Sequence, residues 1–241
     1  MSEATLYDAR AYLDTSFKSK GIGSWRKLYL SFIRDLAPYS VVELGAGVPE
    51  FLAQVDAERR TAVDIGRRYA EAFRERGIGF VCRDLEKDTL ADLEPADVVI
   101  CSDVFEHLVN PDRVLENISS LVGGHGVLFS HVPNEYRLGH ILKVMLDKSD
   151  TISFHKGAAE WDDPHFRRFS NRGFHRFLAR RFRYNLALTD LHYDRPARFV
   201  RALGLRVPYC LAGGPTYAST NDLKIHARLV ELKKEKVRAR R

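Results

Sequence analysis

Short apolar runs alternate with helical patterns over the first half of the chain. The runs predict strands at residues 40–44, 60–65, 78–82, 97–101 and 126–130. Strands that alternate with helices favour right-handed crossover connections and a parallel sheet. The pattern therefore predicts an α/β fold built on a doubly wound, mostly parallel sheet.

Helices are predicted where apolar residues recur at helical spacing between suitable first and last residues. One is capped by Ser24 and stops before Pro38, and a second follows Pro49. A third spans residues 67–76 and has Gly77 as its C-terminal cap. A fourth begins after Asn110 and ends at residues 123–124.

The regular alternation of predicted strands and helices ends after Asn134. Residues 135–183 are rich in histidine and aromatic residues, and we expect them to form a cap over a pocket, with a helix after Ser170. Residues 184–192 and 222–232 are interpreted as the last two strands, joined through a turn at 213–215 and giving one antiparallel pair. These strands would complete a seven-stranded sheet.

We predict one domain over residues 1–241. It comprises an N-terminal helical segment (1–38), a cofactor-binding core (39–134), the cap (135–183), and the final strands with a basic tail (184–241). No run of about 18 apolar residues predicts a membrane span. The N-terminus has no signal core, and the three cysteines are far apart. We therefore expect a cytoplasmic protein.

Positive charge is concentrated in the second half of the chain. The net charge is +6, and residues 165–206 hold eleven arginines against only two aspartates. An anionic partner and an ordinary solvated surface both fit this pattern. Peripheral contact with an anionic membrane is one form that such a partner could take.

Acidic residues follow three successive predicted strands. Glu43 precedes a glycine pair, Gly45 and Gly47, at a turn from strand to helix, and Asp64 and Asp84 end the next two strands. Parallel strands place these positions on one edge of the sheet, where ligands of open α/β sheets bind. An acid at the tip of the second strand is suited to ribose hydroxyls.

The segments that contain these residues resemble the class I S-adenosylmethionine (SAM)-dependent methyltransferases. The resemblance is specifically to the small-molecule branch typified by the ubiquinone-biosynthesis methyltransferases, and it spans about residues 24–192. It rests on VVELGAGVPEF, AVDI, CRDLEKD and ADVVICSDVFEHLVNPDRVLENI. Pro49 departs from the family, which commonly has a third glycine there.

The resemblance implies SAM as cofactor and a role for each matching residue. A loop of four residues would lie under the methionine and ribose parts: Glu43, Gly45, Ala46 and Gly47. Ribose and adenine would meet Asp64, Ile65, Asp84 and Leu85, and the sulfonium would lie beside Ser102 and Asp103.

A small-molecule, glycan or lipid-linked acceptor is expected, with oxygen slightly favoured as the methylated atom. A hydroxyl acceptor benefits from a general base, and His107 is the first candidate for this role. Asp103 is the second residue that we expect to take part in catalysis. His131, His155 and His165 are weaker candidates. No metal site is expected, because the grouping of Asp162, Asp163 and His165 is more typical of a solvated loop.

Three other functions remain open from the sequence. The strand–glycine–acid pattern also fits a dinucleotide oxidoreductase, although no tyrosine is followed by a lysine four positions later. The basic stretch fits a nucleic-acid methyltransferase, but the motifs for base amino groups or cytosine carbon are absent. A catalytically silent binding module with the same fold is the third.

Overall fold

A twisted sheet of seven strands organises the protein. The computed structural model describes residues 23–134, 136, 141–142, 145–146, 165–192 and 213–239. The strands are β1 (Ser40–Leu44), β2 (Arg59–Asp64), β3 (Gly79–Cys82), β4 (Val98–Ser102), β5 (Val127–His131), β6 (Tyr184–Ala187) and β7 (Thr216–Thr220). Their order is β3-β2-β1-β4-β5-β7-β6. The mostly parallel, seven-stranded sheet is thus confirmed.

The first five strands are parallel, and β7 runs antiparallel to both β5 and β6. The sheet therefore has two antiparallel pairs instead of the single pair predicted. β1 and β5 are buried along their whole length, as expected of strands covered on both faces.

Helices cover both faces of the sheet. They are α1 (Ser24–Leu36), α2 (Ala70–Arg74), α3 (Pro111–Val122), α4 (Asn171–Leu178), α5 (Thr189–His192) and α6 (Leu223–Arg238). Short 3-10 turns form at Leu52–Gln54 and Phe105–His107. In the part of the chain that the structure describes, none of the helices has the length and apolar character needed to cross a membrane.

Two apolar layers hold the helices against the sheet. On one face, α3 and α4 bury Val114, Ile118 and Phe174 in a common cluster with β4 and β5. On the other face, α1 and α6 bury Phe32 and Leu229 against β1 and β5. Burial of apolar area of this kind is the main source of folding free energy.

The prediction of a strand at residues 222–232 is wrong, because this segment begins α6. The Asp222 carboxylate accepts hydrogen bonds from the backbone N–H groups of Lys224 and Ile225 and so caps the helix. Leu229 and Leu232 are the buried residues of α6, at helical spacing. The last strand is instead β7, whose hydroxyl-rich sequence gave no alternating apolar signal.

Three further boundaries differ from the predictions. β6 ends at Ala187, and α5 follows where a continuous strand to residue 192 was expected. After Pro49 the chain forms only a 3-10 turn, so the loop there stays open rather than entering a regular helix. Gly23, and not Ser24, is the N-cap of α1. The predicted helix after Ser170 is confirmed as α4, and about half of the predicted cap at 135–183 falls outside the described residues.

Candidate functional site

Polar side chains from neighbouring parallel strands meet at the C-terminal edge of the sheet. Glu43 lies one residue before the end of β1, while Asp64 ends β2 and Ser102 ends β4. β1 pairs with both other strands, and Glu43 is in register with Ala62 on one side and Ile100 on the other. The structure therefore brings these predicted residues to one stretch of the edge, where ligands of such sheets bind.

The loop after β1 is shaped by two glycines in the left-handed region. Gly45 has φ of 65° and Gly47 has φ of 61°, which side chains other than glycine rarely adopt. A Cβ on Gly45 would lie 2.4 Å from Cγ2 of Val104, whereas one on Gly47 would meet nothing within 4 Å. Gly45 is thus required by packing inside the protein, while Gly47 borders open space.

Asp64 ties this loop to the end of β2. Its Oδ2 accepts a hydrogen bond from the N–H of Gly47 at 2.9 Å, and its Oδ1 accepts one from Gly66 at 2.8 Å. The carbonyl of Val63 accepts from the N–H groups of Gly45 and Ala46. Asp64 therefore fixes the loop after β1 and the chain after β2 in relation to each other.

Glu43 is a buried acid beside a buried guanidinium. Only 2% of the residue is exposed, and its Oε1 lies 3.6 Å from Nη2 of Arg26. Its Oε2 has no hydrogen-bond partner among the described residues. The pKa of Glu43 is raised from 4.5 to about 7: burial is the main cause, the charge of Arg26 opposes the shift, and the charge of Asp64 contributes to it. A cationic ligand would favour the charged form.

Asp84 and Leu85 follow β3 on the same edge. Asp84 Oδ1 accepts from the N–H of Glu86 at 3.0 Å, and Oδ2 lies 3.2 Å from Nζ of Lys87. Leu85 is buried in the apolar cluster. Ile65, one residue past β2, is half-buried. These residues follow β2 and β3, which are neighbours in the sheet, so they continue its C-terminal edge beyond Asp64.

Asp103 takes an unusual backbone conformation directly after β4. Its φ is 54°, a value that costs a non-glycine residue on the order of 1–3 kcal/mol. Its N–H donates to the carbonyl of His131 at 3.0 Å, which joins the ends of β4 and β5. The neighbouring Ser102 is buried and faces Tyr29 of α1. Asp103 itself stays partly exposed, with 43% of its side chain accessible.

His131 at the end of β5 is neutral and has a defined tautomer. The hydroxyl of Thr216 donates to the carbonyl of Gly214, so it must accept from Nδ1 of His131, 2.8 Å away. Burial lowers the pKa of His131 to about 3, and Arg26 adds to this effect. Nε2, 3.7 Å from Asp103 Oδ1, is therefore an acceptor and a poor base.

His107, the predicted base, belongs to a compact polar group with His165 and Glu106. The two imidazole rings are 4.7 Å apart and nearly perpendicular, and Glu106 Oε1 lies 3.9 Å from Nε2 of His107. Ligand atoms of all three lie within 4.8 Å of one another. Such a group can exchange protons, and its donor set also suits a metal ion. The expectation of no metal therefore stays a prediction.

His155, Asp162 and Asp163 fall outside the described residues, so their predicted roles stay predictions.

Sequence reasoning missed the contribution of α1 to this site. The ring of Trp25 stacks on His131, with centroids 5.0 Å apart. Arg26 is 5% exposed and lies over the rings of Trp25 and Phe51. The first turn of α1 therefore extends from β1 to β5 along the site. The sequence gives no local signal for this role, because the burial of Arg26 depends on how α1 packs against the sheet.

The sheet order with its antiparallel seventh strand defines the class I methyltransferase fold. A family model described as a methyltransferase domain matches residues 17–195, well over half of the chain. The chain belongs to this family, and by family and fold it is a class I SAM-dependent methyltransferase with SAM as its cofactor. This outcome confirms the resemblance and removes the oxidoreductase alternative.

Individual relatives are distant. A ubiquinone biosynthesis O-methyltransferase of Coxiella burnetii is 30% identical over 67 residues, and the match spans only 28% of this chain and 28% of that protein. Among solved structures, the plantazolicin methyltransferase BpumL, in a complex with a triazolic desmethylPZN analogue and S-adenosylhomocysteine (SAH), has a TM-score of 0.61 at 14% identity. That alignment covers 90% of this chain and 94% of the other.

A SAM-dependent methyltransferase of Thermotoga maritima, described as a possible histamine N-methyltransferase, is similar at a TM-score of 0.58 and 15% identity. It aligns over 90% of this chain and 99% of its own. At these identities the two structures support the fold alone.

Proposed function

We propose that the protein methylates a small-molecule, glycan or lipid-linked acceptor at the C-terminal edge of the sheet, with oxygen as the favoured atom. The observation that supports this most is the continuity of the edge. The edge begins with two acids suited to bind a cofactor, Glu43 and Asp64. Ser102 and Asp103 come next, and they are followed by His107, whose imidazole is suited to proton transfer.

The cofactor half of the proposal rests on the glycine loop. Glu43 Oε2 is a buried acceptor without a partner in the described part of the chain, and it would accept from the ammonium of the methionine moiety. The space beside Gly47 would let backbone approach the cofactor closely, next to Gly45 and Ala46. The carboxylate of Asp64, at the end of β2, would accept from the ribose hydroxyls.

The adenine and sulfonium ends follow from neighbouring positions on the edge. Ile65 and Leu85 would contact the adenine ring, and Asp84 would accept from its amino group. Ser102 would lie beside the sulfonium. Arg26 is suited to the methionine carboxylate, because a guanidinium matches the geometry of a carboxylate. These assignments use residues that the sequence predicted, together with Arg26.

On the acceptor side, the protein has to position a nucleophile and exclude water. SAM supplies an already activated methyl group when bound, so these contributions carry most of the catalysis. His107 would accept the proton of an acceptor hydroxyl, and the buried Glu106 would stabilise the imidazolium formed. Asp103 would orient the acceptor through a hydrogen bond.

Support for oxygen as the methylated atom comes from the relative in Coxiella burnetii, which is named an O-methyltransferase. The Thermotoga protein, a possible histamine N-methyltransferase, makes nitrogen the second candidate. An unprotonated amine acceptor needs no base. A methyl-transfer rate that depends on His107 would therefore indicate an oxygen acceptor, and a rate independent of His107 would indicate a nitrogen acceptor.

Methyl transfer from radiolabelled SAM into fractionated cell extract tests the proposal. We expect a labelled product with the wild type and at least a hundredfold lower rate with His107→Ala, since general base catalysis contributes about 10²–10⁴-fold. His125→Ala, which removes a highly exposed histidine, is the matched control and should retain its rate. Absence of any labelled product would refute the proposal, and an unchanged rate in His107→Ala would refute the role of the base.

A further inference from the structure

A groove lined by arginines lies next to the proposed acceptor side, between the start of α3 and the length of α4. Its walls include Asp112, Arg167, Arg176 and Arg180. The sequence from 165 to 184 contains seven arginines and no acid, so α4 and its flanks carry an unbalanced positive charge. The groove therefore has a strong preference for anions.

The arginines of the groove are unequally neutralised. Arg180 forms an ion pair with Asp112. The guanidinium of Arg167 donates to the neutral carbonyl of Val109. Within the described ranges, no acid forms an ion pair with Arg167 or Arg176. Three arginines and one aspartate leave two positive charges on the lining, which matches a phosphoryl group with a charge of about −1.5 to −2 better than a single carboxylate.

Arg167 also connects the groove to the loop of His107. Its backbone N–H donates to the carbonyl of Glu106 at 3.0 Å, and its side chain contacts Val109, two residues past His107. The floor of the groove contains Phe177, whose ring lies 5.1 Å from that of Phe105 in the same loop. A molecule bound in the groove would therefore lie adjacent to the acceptor side.

We propose that the groove binds a phosphate or diphosphate group on the methyl acceptor. Arg176 and Arg167 would donate hydrogen bonds to its oxygens, because guanidinium groups bind phosphate through paired N–H donors. Phe169 and Phe177 would contact the apolar part of the acceptor that runs toward His107. This inference rests on the proposed function and narrows its acceptor to a phosphorylated one, either soluble or carried on a lipid.

Inorganic pyrophosphate is the probe, titrated calorimetrically into the full chain at constant ionic strength. We expect saturable binding by the wild type and at least a tenfold weaker affinity in Arg176→Gln, since the amide removes the charge and the paired N–H donors that would bind the phosphate oxygens. Arg172→Gln is the matched control, because Arg172 is an exposed arginine of the same helix that does not line the groove. Its affinity should change less than about twofold, within the usual effect of one screened surface charge.

Equal weakening in both variants would overturn the inference, because it would indicate unspecific attraction to a basic helix. So would the absence of pyrophosphate binding in a wild type that binds SAH, a result that leaves the proposed function intact. Failure to bind SAH would instead overturn the proposed function. SAH affinity should be unchanged in Arg176→Gln, which verifies that the variant is folded.

Vesicles of phosphatidylglycerol and phosphatidylcholine distinguish the two sources of the phosphate. Co-sedimentation that requires Arg176 but not Arg172, and that pyrophosphate competes away, supports the groove with a lipid-borne phosphate. Pyrophosphate binding without co-sedimentation supports a soluble acceptor. Co-sedimentation that depends equally on both arginines, without pyrophosphate binding, would overturn the inference in favour of a general surface contact.

Discussion

Removing the charge of Glu43 should change the pH dependence of stability in a predictable direction. Burial raises the pKa of this carboxyl from 4.5 to about 7 in the folded protein, so the folded state binds its proton more tightly than the unfolded state does. As the pH rises from about 4.5 to 7, the folded protein loses stability, and above pH 7 the full penalty is present. Glu43→Gln stays neutral and lacks this component.

The size of the effect follows from the shift. At about 1.36 kcal/mol per pKa unit, the shift corresponds to about 3 kcal/mol above pH 7. At pH 5 most of the penalty is absent, because few folded molecules have lost the proton. The difference in free energy of unfolding between Glu43→Gln and the wild type should therefore shift in favour of the variant by about 2 to 3 kcal/mol when the pH is raised from 5 to 8.

Urea denaturation of the ligand-free protein at pH 5, 6, 7 and 8 measures this difference. Glu50→Gln, which changes an exposed acid of the same loop, is the control and should follow the wild type at every pH. SAH should bind Glu43→Gln more weakly, because the amide has lost the charge that attracts the ligand's ammonium. If the wild type and Glu43→Gln keep a constant difference in stability across this range, the burial argument for Glu43 is refuted.

Three further changes test other parts of the structure. Gly45→Ala should lower the free energy of unfolding by about 1–3 kcal/mol in thermal melts, because its Cβ would overlap Val104 at positive φ; an unchanged melt would contradict the loop geometry. Asp222→Ala should cost about 1 kcal/mol in urea through the lost cap of α6, while SAH affinity stays the same. Dialysis against EDTA should leave methyl transfer intact if His107 acts as a base, and a loss that Zn²⁺ restores would instead indicate a metal at His107.

The sequence predicted the parallel half of the sheet because burial there is continuous. β1 and β4 are buried along their whole length, so apolar residues predominate in each of them, and turn residues follow. The acids at the strand ends were identifiable because the C-terminal ends of parallel strands lie on the same edge of the sheet. The local sequence pattern was therefore sufficient to predict the parallel strands and the acids at their C-terminal ends.

The C-terminal part was mispredicted because local pattern and tertiary role differ there. β7 is buried although it reads Thr-Tyr-Ala-Ser-Thr, and Thr220 offsets the cost of burial by donating to the carbonyl of Gly126. Leu223 and Ile225 have the two-residue spacing of a strand, but Leu223 is exposed and Asp222 caps the start of a helix. The role of Arg26 depends on contact with Glu43 across the fold, which no local pattern records.

Calorimetric titration of SAH into the wild type and Asp64→Ala tests the central claim most directly, which is that SAM binds at this edge of the sheet. We predict one site per chain in the wild type and at least tenfold weaker binding in Asp64→Ala, because the carboxylate would accept from two ribose hydroxyls. Asp56→Ala, which removes an exposed aspartate, should bind as the wild type does. Wild-type protein that binds no SAH, or a folded Asp64→Ala variant that binds SAH undiminished, would contradict the account.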